Sequence, residues 1–147
     1  MTLQLKPVLM LAFLLSSLAA MPLHAEDTEA EEETTEEPGI TDYVAMDPPF
    51  VTHVGQPGAK VTYLKASVSL RVSSTGARPA VEAHMPSLRH ELVMLFGEQT
   101  DAERLSSMEG QTALREEAKT RINQVLATQE TGETVTGVLF TEFVVQK

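Results

Sequence analysis

Four histidines are the residues best suited to bind a metal or to transfer protons: His24, His53, His84 and His90. His84 and His90 lie six positions apart, so on one helix they would point to different faces and miss the i, i+4 spacing of a helical zinc pair. His53 falls in a short apolar segment, and His24 falls in the N-terminal segment. We therefore interpret these histidines as structural or solvent-exposed, and we expect no metal site.

Motifs for nucleophilic, redox and phosphate chemistry are absent from the sequence. The chain has no Cys, which excludes a disulfide framework, Cys-ligated zinc, an iron–sulfur cluster and a cysteine nucleophile. Its eight glycines are scattered and form neither a Walker-type loop nor a dinucleotide-binding loop. No serine stands in a G-x-S-x-G context. The sequence predicts a protein that is not an enzyme and has no catalytic residues and no cofactor. A hydrolase whose residues meet only in space is the enzyme alternative.

The net charge argues against nucleic-acid binding. The 147 residues include 11 Lys and Arg against 21 Asp and Glu, which gives a net charge of −10. Affinity for nucleic acid is built from Lys and Arg on phosphates. The sequence therefore predicts no nucleic-acid partner.

The N-terminal segment Met1–Ala25 has the layout of a secretory signal peptide. One base, Lys6, precedes an apolar run, and a short polar stretch then ends in a small residue. We expect cleavage between Ala25 and Glu26, with the rest of the chain exported to the periplasm. The alternative is an uncleaved membrane anchor, but residues 8–21 are shorter than the roughly 20 apolar residues of a spanning helix.

Most of the net negative charge lies in the segment that follows. Residues 26–39 hold eight of the 21 acids and no base. Such a run cannot bury enough apolar surface to offset the entropy of ordering, so we expect an acidic disordered linker. The remaining domain, residues 40–147, has 13 acids against 10 bases and is close to neutral.

Periodicity predicts the strands of this domain. Residues 64–72 alternate strictly between apolar and polar, which indicates a strand with one buried and one wet face. Residues 134–146 are rich in β-branched and aromatic residues on both faces, so we expect a strand covered on both sides, with Gly137 at a bulge. A shorter strand, residues 50–54, follows Pro48 and Pro49.

Helical spacing occupies the region between the long strands. Residues 78–85 form helical turns, and Pro86 restarts or kinks the helix. Asp101 is expected to cap a short turn, and Ser106 with Glu109 has the spacing of a capping box before a helix over 109–128.

The order of these elements predicts a two-layer α+β fold. A small mixed or antiparallel sheet of about three strands packs on two or three helices. The expected core is a set of apolar residues on the inward faces of these elements: Phe50, Leu64, Val68, Leu70, Leu92, Leu114, Ile122, Phe140 and Phe143.

Four segments together resemble a known family. Residues 135–146, VTGVLFTEFVVQ, resemble the C-terminal V-x-x-V-x-F-T-x-F-V-x-Q ending of the FliL flagellar basal-body proteins. Residues 43–51 resemble the start of that family's periplasmic domain, and Tyr63-Leu64-Lys65 resembles its Y-L-K strand. Residues 105–115 with Ile122-Asn123 resemble its G-x-x-x-L-R … I-N helix. The resemblance runs from about Tyr43 to Gln146.

The resemblance implies a non-enzymatic accessory of the flagellar motor. It implies a domain similar to stomatin and prohibitin that assembles into homo-oligomeric rings. Its implied partner is the periplasmic linker of the stator B subunit, and its implied role is to support torque, swimming or swarming. The implied location is the periplasm at the inner-membrane face of the basal body, with membrane association through partners or an uncleaved N-terminal segment. The alternative is a periplasmic scaffold or binding module of the same fold without a flagellar role.

Three charged residues on one helix face are candidates for self-assembly: Arg115, Glu116 and Lys119. The alternative is that this face is simply solvated.

Overall fold

The computed structural model describes residues 39–58 and 60–147. The expected signal peptide, its cleavage site between Ala25 and Glu26, and positions 26–38 of the expected linker lie outside the described residues. Four strands and four helices follow in this order: β1 Asp42–Ala45, β2 Phe50–Val54, β3 Thr62–Val72, α1 Ala77–Ala83, α2 Met85–Gly97, α3 Ala102–Ser106, α4 Met108–Thr128 and β4 Gly137–Gln146.

The fold is α+β, as the sequence predicts, and the sheet is entirely antiparallel. The central strand β3 pairs with β4 along one edge. On the other edge β1 pairs with the C-terminal part of β3, and β2 pairs with its N-terminal part. The sheet is therefore three strands wide but contains four strands. The alternation of apolar and polar residues does not predict the short strand β1, because four residues are too few to show a clear repeat.

The helices cover one face of this sheet. Strand β3 alternates between buried and exposed positions along its whole length, as its sequence predicts. α2 packs against β2 and α4, and α4 packs against β4. Most of the expected core residues are between 0% and 3% exposed: Phe50, Leu64, Val68, Leu70, Leu92, Leu114 and Ile122. Phe140 and Phe143 pack against this core but are only partly buried.

The prediction that β4 is covered on both sides is wrong for the isolated chain. Leu139 and Val144 face away from the helices and are 37% and 44% exposed. No described element lies over that face, because all the helices that pack on the sheet use the opposite one. The bulge also lies elsewhere: Ser67 pairs with Glu142 and Val68 with Phe140, which leaves Thr141 as the extra residue rather than Gly137.

Helix boundaries follow local chemistry. α1 ends before His84 and α2 begins with Pro86 in its first turn, where a missing N–H costs nothing. The Asp101 carboxylate accepts hydrogen bonds from the backbone N–H groups of Glu103 and Arg104, at 3.0 and 2.9 Å, and so caps α3 as expected. The predicted capping box at Ser106 is wrong.

Ser107 is the residue that caps α4. Its hydroxyl accepts a hydrogen bond from the Gly110 N–H at 3.0 Å, and its backbone is extended, as an N-cap requires. Ser106 is the last residue of α3, and its hydroxyl donates to the carbonyl of Ala102. The two serines are neighbours in the sequence, but only Ser107 has the extended backbone of an N-cap residue.

Asn123 joins α4 to the segment that leads into β4. Its amide nitrogen donates to the Val135 carbonyl at 3.0 Å, and its amide oxygen accepts from the Val135 N–H at 2.7 Å. Val135 is 2% exposed. A single side chain thus satisfies both backbone groups of a buried residue, as a neighbouring strand would.

Replacing Asn123 with Ala is expected to lower the free energy of unfolding by about 1–3 kcal/mol, because both backbone groups of Val135 lose their partners. Urea-induced unfolding monitored by circular dichroism measures this change. Gln124→Ala is the matched control, since Gln124 is the exposed neighbour on the same helix and such substitutions stay within about 0.5 kcal/mol. Equal stability of the two variants would show that the hydrogen bonds between Asn123 and Val135 do not stabilise the folded chain.

Candidate interaction surface

The described histidines do not form a metal centre. His53 packs edge-to-face on Tyr63, with 4.7 Å between ring centroids, and His84 occupies the junction of α1 and α2. His90 is exposed on α2. Within residues 39–58 and 60–147, no group of three or more His, Asp or Glu side chains could hold a metal ion.

The helices leave one face of the sheet uncovered, and we call it the open sheet face. It carries outward side chains from all four strands. β1 contributes Tyr43 at 50% exposure, β2 contributes Val51 at 67%, and β3 contributes Tyr63 at 43%. An antiparallel sheet with one solvated face normally presents polar residues there. β1, β2 and β4 instead expose aromatic or aliphatic side chains on this face.

A shallow groove of about 350 Å³ lies on the open sheet face. Val51 and Val144 flank Lys65 across the three strands. The Lys65 ammonium lies 3.0 Å from the Glu142 carboxylate, and the Ser67 hydroxyl donates to the same carboxylate at 3.3 Å. The hydrogen bond from Lys65 lowers the pKa of Glu142. The groove thus combines apolar walls with one locally neutralised ion pair.

The charged face of α4 holds the three residues expected to mediate self-assembly. Glu116 and Lys119 form an ion pair at 2.8 Å. The Arg115 guanidinium donates to the Thr112 hydroxyl at 2.9 Å and lies 6.0 Å from the centroid of the Phe140 ring. The structure therefore brings Glu116 and Lys119 together and places Arg115 beside β4.

Sequence reasoning missed an ionic clamp on the first strand. The Arg78 guanidinium donates from two nitrogens to the Asp42 carboxylate, at 2.6 and 2.7 Å, and also to the Tyr43 carbonyl at 2.9 Å. The hydrogen bond from Arg78 lowers the pKa of Asp42. The clamp therefore stabilises the folded chain at pH values above the ordinary pKa of an Asp carboxyl. This contribution is lost as the pH falls through the lowered pKa of Asp42. Residues 36 positions apart carry no sequence signal for such a pair.

A second ionic contact joins α2 and α4. Arg121 donates to the carboxylates of Glu98 and Glu117, and this lowers the pKa of Glu98. The side chains of these two ionic contacts are between 23% and 50% exposed, so water screens them and each contact adds only modestly to stability. Among the described residues, no helix is both long and apolar enough to cross a membrane.

Comparison with known proteins decides the family. The sequence profile described as "Flagellar basal body-associated protein FliL" matches residues 43–146, which is nearly the whole described part of the chain. The chain belongs to the FliL family. The FliL match also coincides with the range over which the four sequence motifs resemble that family.

Individual FliL proteins show the same relationship. The chain is 34% identical over 101 residues to the flagellar protein FliL of Aquifex aeolicus, covering 69% of this chain and 59% of that relative. It is 29% identical over 122 residues to the flagellar protein FliL of Escherichia coli K12, covering 83% of this chain and 74% of the relative. The match to the Shigella flexneri protein has the same extent.

The FliL motifs occupy identifiable places in the structure. In the Y-L-K motif, Leu64 is fully buried, whereas Tyr63 and Lys65 line the groove. The C-terminal motif forms β4, and in the I-N pair Ile122 is buried while Asn123 clamps Val135. The motifs therefore contribute both to the core and to the open sheet face.

Proposed function

We propose that this chain is a non-enzymatic accessory protein of the flagellar basal body. The family match over residues 43–146 is the observation that carries this proposal, because it includes every described helix and strand except the first residue of β1. Membership of a flagellar family gives no support to the alternative of a scaffold without a flagellar role. The exposed apolar residues of the open sheet face also favour binding to another protein over catalysis.

The finer parts of the proposal concern location and partners. The domain of residues 40–147 lies in the periplasm at the inner-membrane face of the basal body, behind a signal peptide and an acidic linker. It resembles the stomatin domain and assembles into a homo-oligomeric ring around the periplasmic linker of the stator B subunit. That contact supports torque generation and hence swimming, swarming and chemotactic motility. The groove beside Tyr63 and Lys65 is a suitable surface for such a linker, since it offers both apolar and ionic contacts.

Deletion of the coding sequence tests the motor role. We expect the deletion strain to swim more slowly in viscous medium and to swarm poorly, because stator engagement matters most under load. Tracking of single cells and measurement of swarm diameter report this loss, and complementation with the full chain restores it. Normal motility of the deletion strain under load would refute the proposal.

Charge reversal on α4 tests the proposed assembly surface. The double variant Arg115→Glu/Lys119→Glu is expected to assemble less, because it turns a face with two cations and one anion into an acidic one. Sedimentation velocity of the purified chain measures the loss of the large species. Lys60→Glu/Arg104→Glu is the control, since it changes the net charge equally at exposed positions outside α4. Unchanged sedimentation of the α4 variant would remove these residues from the interface.

A further inference from the structure

Strand β4 has one unpaired edge. β3 occupies its other side from Gly137 to Gln146. In the described part of the chain, no backbone or side-chain group outside β3 forms a hydrogen bond with the main chain of β4. Such an edge presents a row of free N–H and C=O groups that can accept another strand.

The opposite edge of the sheet is protected, and β4 is not. On that edge β1 and β2 are only four and five residues long, and Pro48 and Pro49 lie between them. Short strands and prolines are the usual devices against edge pairing. β4 is ten residues long and contains neither proline nor lysine. Its bulge at Thr141 is its one irregularity.

The side chains of β4 are also incompletely buried on both faces. On the inner face, Phe140 and Phe143 stack on each other at 4.9 Å but remain partly exposed, whereas Leu64 and Leu70 of β3 are 0% exposed. On the outer face, Leu139 and Val144 remain exposed. An added strand would cover both faces at once, because its side chains alternate between them.

The sequence of β4 is complementary to itself when reversed. The bulge places residues on either side of Thr141 and Glu142 in mirrored order: Leu139 and Val144 face outward, and Phe140 and Phe143 face inward. In an antiparallel pair centred between residues 141 and 142, every apolar side chain therefore meets an apolar side chain on the same face. Glu142 then lies opposite Thr141, so like charges are not directly opposed.

We propose that β4 pairs with β4 of a second copy of this chain, antiparallel and around a two-fold axis between Thr141 and Glu142. Leu139 then lies opposite Val144 of the second copy, and Phe140 lies opposite Phe143 of the second copy. The two sheets join into one continuous eight-stranded sheet across the dimer. This contact is isologous and does not depend on the flagellar role, so its failure would leave that role intact.

Cysteine cross-linking tests the register, because the chain has no native Cys. Full-length Leu139→Cys and Val144→Cys variants are purified separately and then mixed under mild oxidation. Residues directly opposite each other have Cβ atoms about 4.5–5.5 Å apart, whereas each residue lies about 17 Å along the strand from its own copy at about 3.4 Å per residue. We expect the mixture to cross-link at least about tenfold more than either variant alone, since a disulfide needs closely spaced Cβ atoms.

Two controls keep the experiment decisive. Val51→Cys, at a position that is 67% exposed on β2, is mixed with Val144→Cys and should stay at background. Sedimentation equilibrium of the double variant Arg115→Glu/Lys119→Glu, which is expected to lose the large species, should show a concentration-dependent dimer. Equal cross-linking of Leu139→Cys alone, or absence of cross-linking in the mixture, would overturn the proposed pairing.

Discussion

Replacing Phe96 with Ala is expected to lower the free energy of unfolding by about 3–5 kcal/mol. Phe96 is the largest fully buried side chain, at 0% exposure. Its ring packs edge-to-face on Phe50 at 5.4 Å and on Phe140 at 6.1 Å between centroids. It therefore links α2 to β2 and to β4. Removal of the ring leaves a cavity where three elements meet, in addition to the loss of apolar burial.

This effect is large relative to the whole stability of a domain of this size, which is about 5–15 kcal/mol. Chemical denaturation at neutral pH measures it, and a fall in the unfolding midpoint is the expected signal. Met94→Ala is the matched control on the same helix, because Met94 is 48% exposed and its loss should change stability by about 0.5 kcal/mol or less. Similar midpoints for the two variants would show that Phe96 is not a packing centre.

Replacing Gly110 with Ala is expected to destabilise the domain by about 1–3 kcal/mol, although Ala is the better helix former. A Cβ atom at position 110 would lie 2.0 Å from the carbonyl oxygen of Arg104 and 2.7 Å from its carbonyl carbon. Both atoms belong to the backbone of α3, so a side-chain rotation cannot relieve the clash. α3 must move away from α4, which also disturbs the cap at Ser107.

Gly97→Ala is the matched comparison, and its expected sign is opposite. Gly97 is also helical, but the nearest atom to an added Cβ would be the Thr52 hydroxyl oxygen at 4.0 Å. The substitution should stabilise the domain by about 0.4–1 kcal/mol through the lower entropy of the unfolded chain. Thermal or urea unfolding of both variants in parallel measures the contrast. Stabilisation by both substitutions would contradict the close contact between α3 and α4.

The sequence predicts the elements whose signals are local. Nine alternating residues specify β3, Pro86 specifies the restart of the helix, and Asp101 specifies the cap of α3, since each signal acts within a few residues. The fold class follows from the order of these elements. The buried part of the expected core follows from their apolar faces, with Phe140 and Phe143 less buried because β4 lies at the edge of the sheet.

The remaining features depend on tertiary contacts. The clamp between Arg78 and Asp42 and the contact of Asn123 with Val135 join distant segments, so no spacing rule identifies them. The apolar residues on both faces of β4 favour a strand covered on both sides, because periodicity indicates which residues avoid water but not which element covers them. A second copy on the β4 edge would provide part of the missing cover.

The clamp on β1 has a mechanical consequence. β1 is the first described element of the chain, so tension applied along the chain from its N-terminal side reaches the described elements first through this strand. β1 is held by four residue pairs with β3 and by the fork of Arg78 on Asp42 and Tyr43. Arg78 belongs to α1, so part of that load passes directly into the helical layer. The first strand can therefore resist detachment better than its length alone would allow.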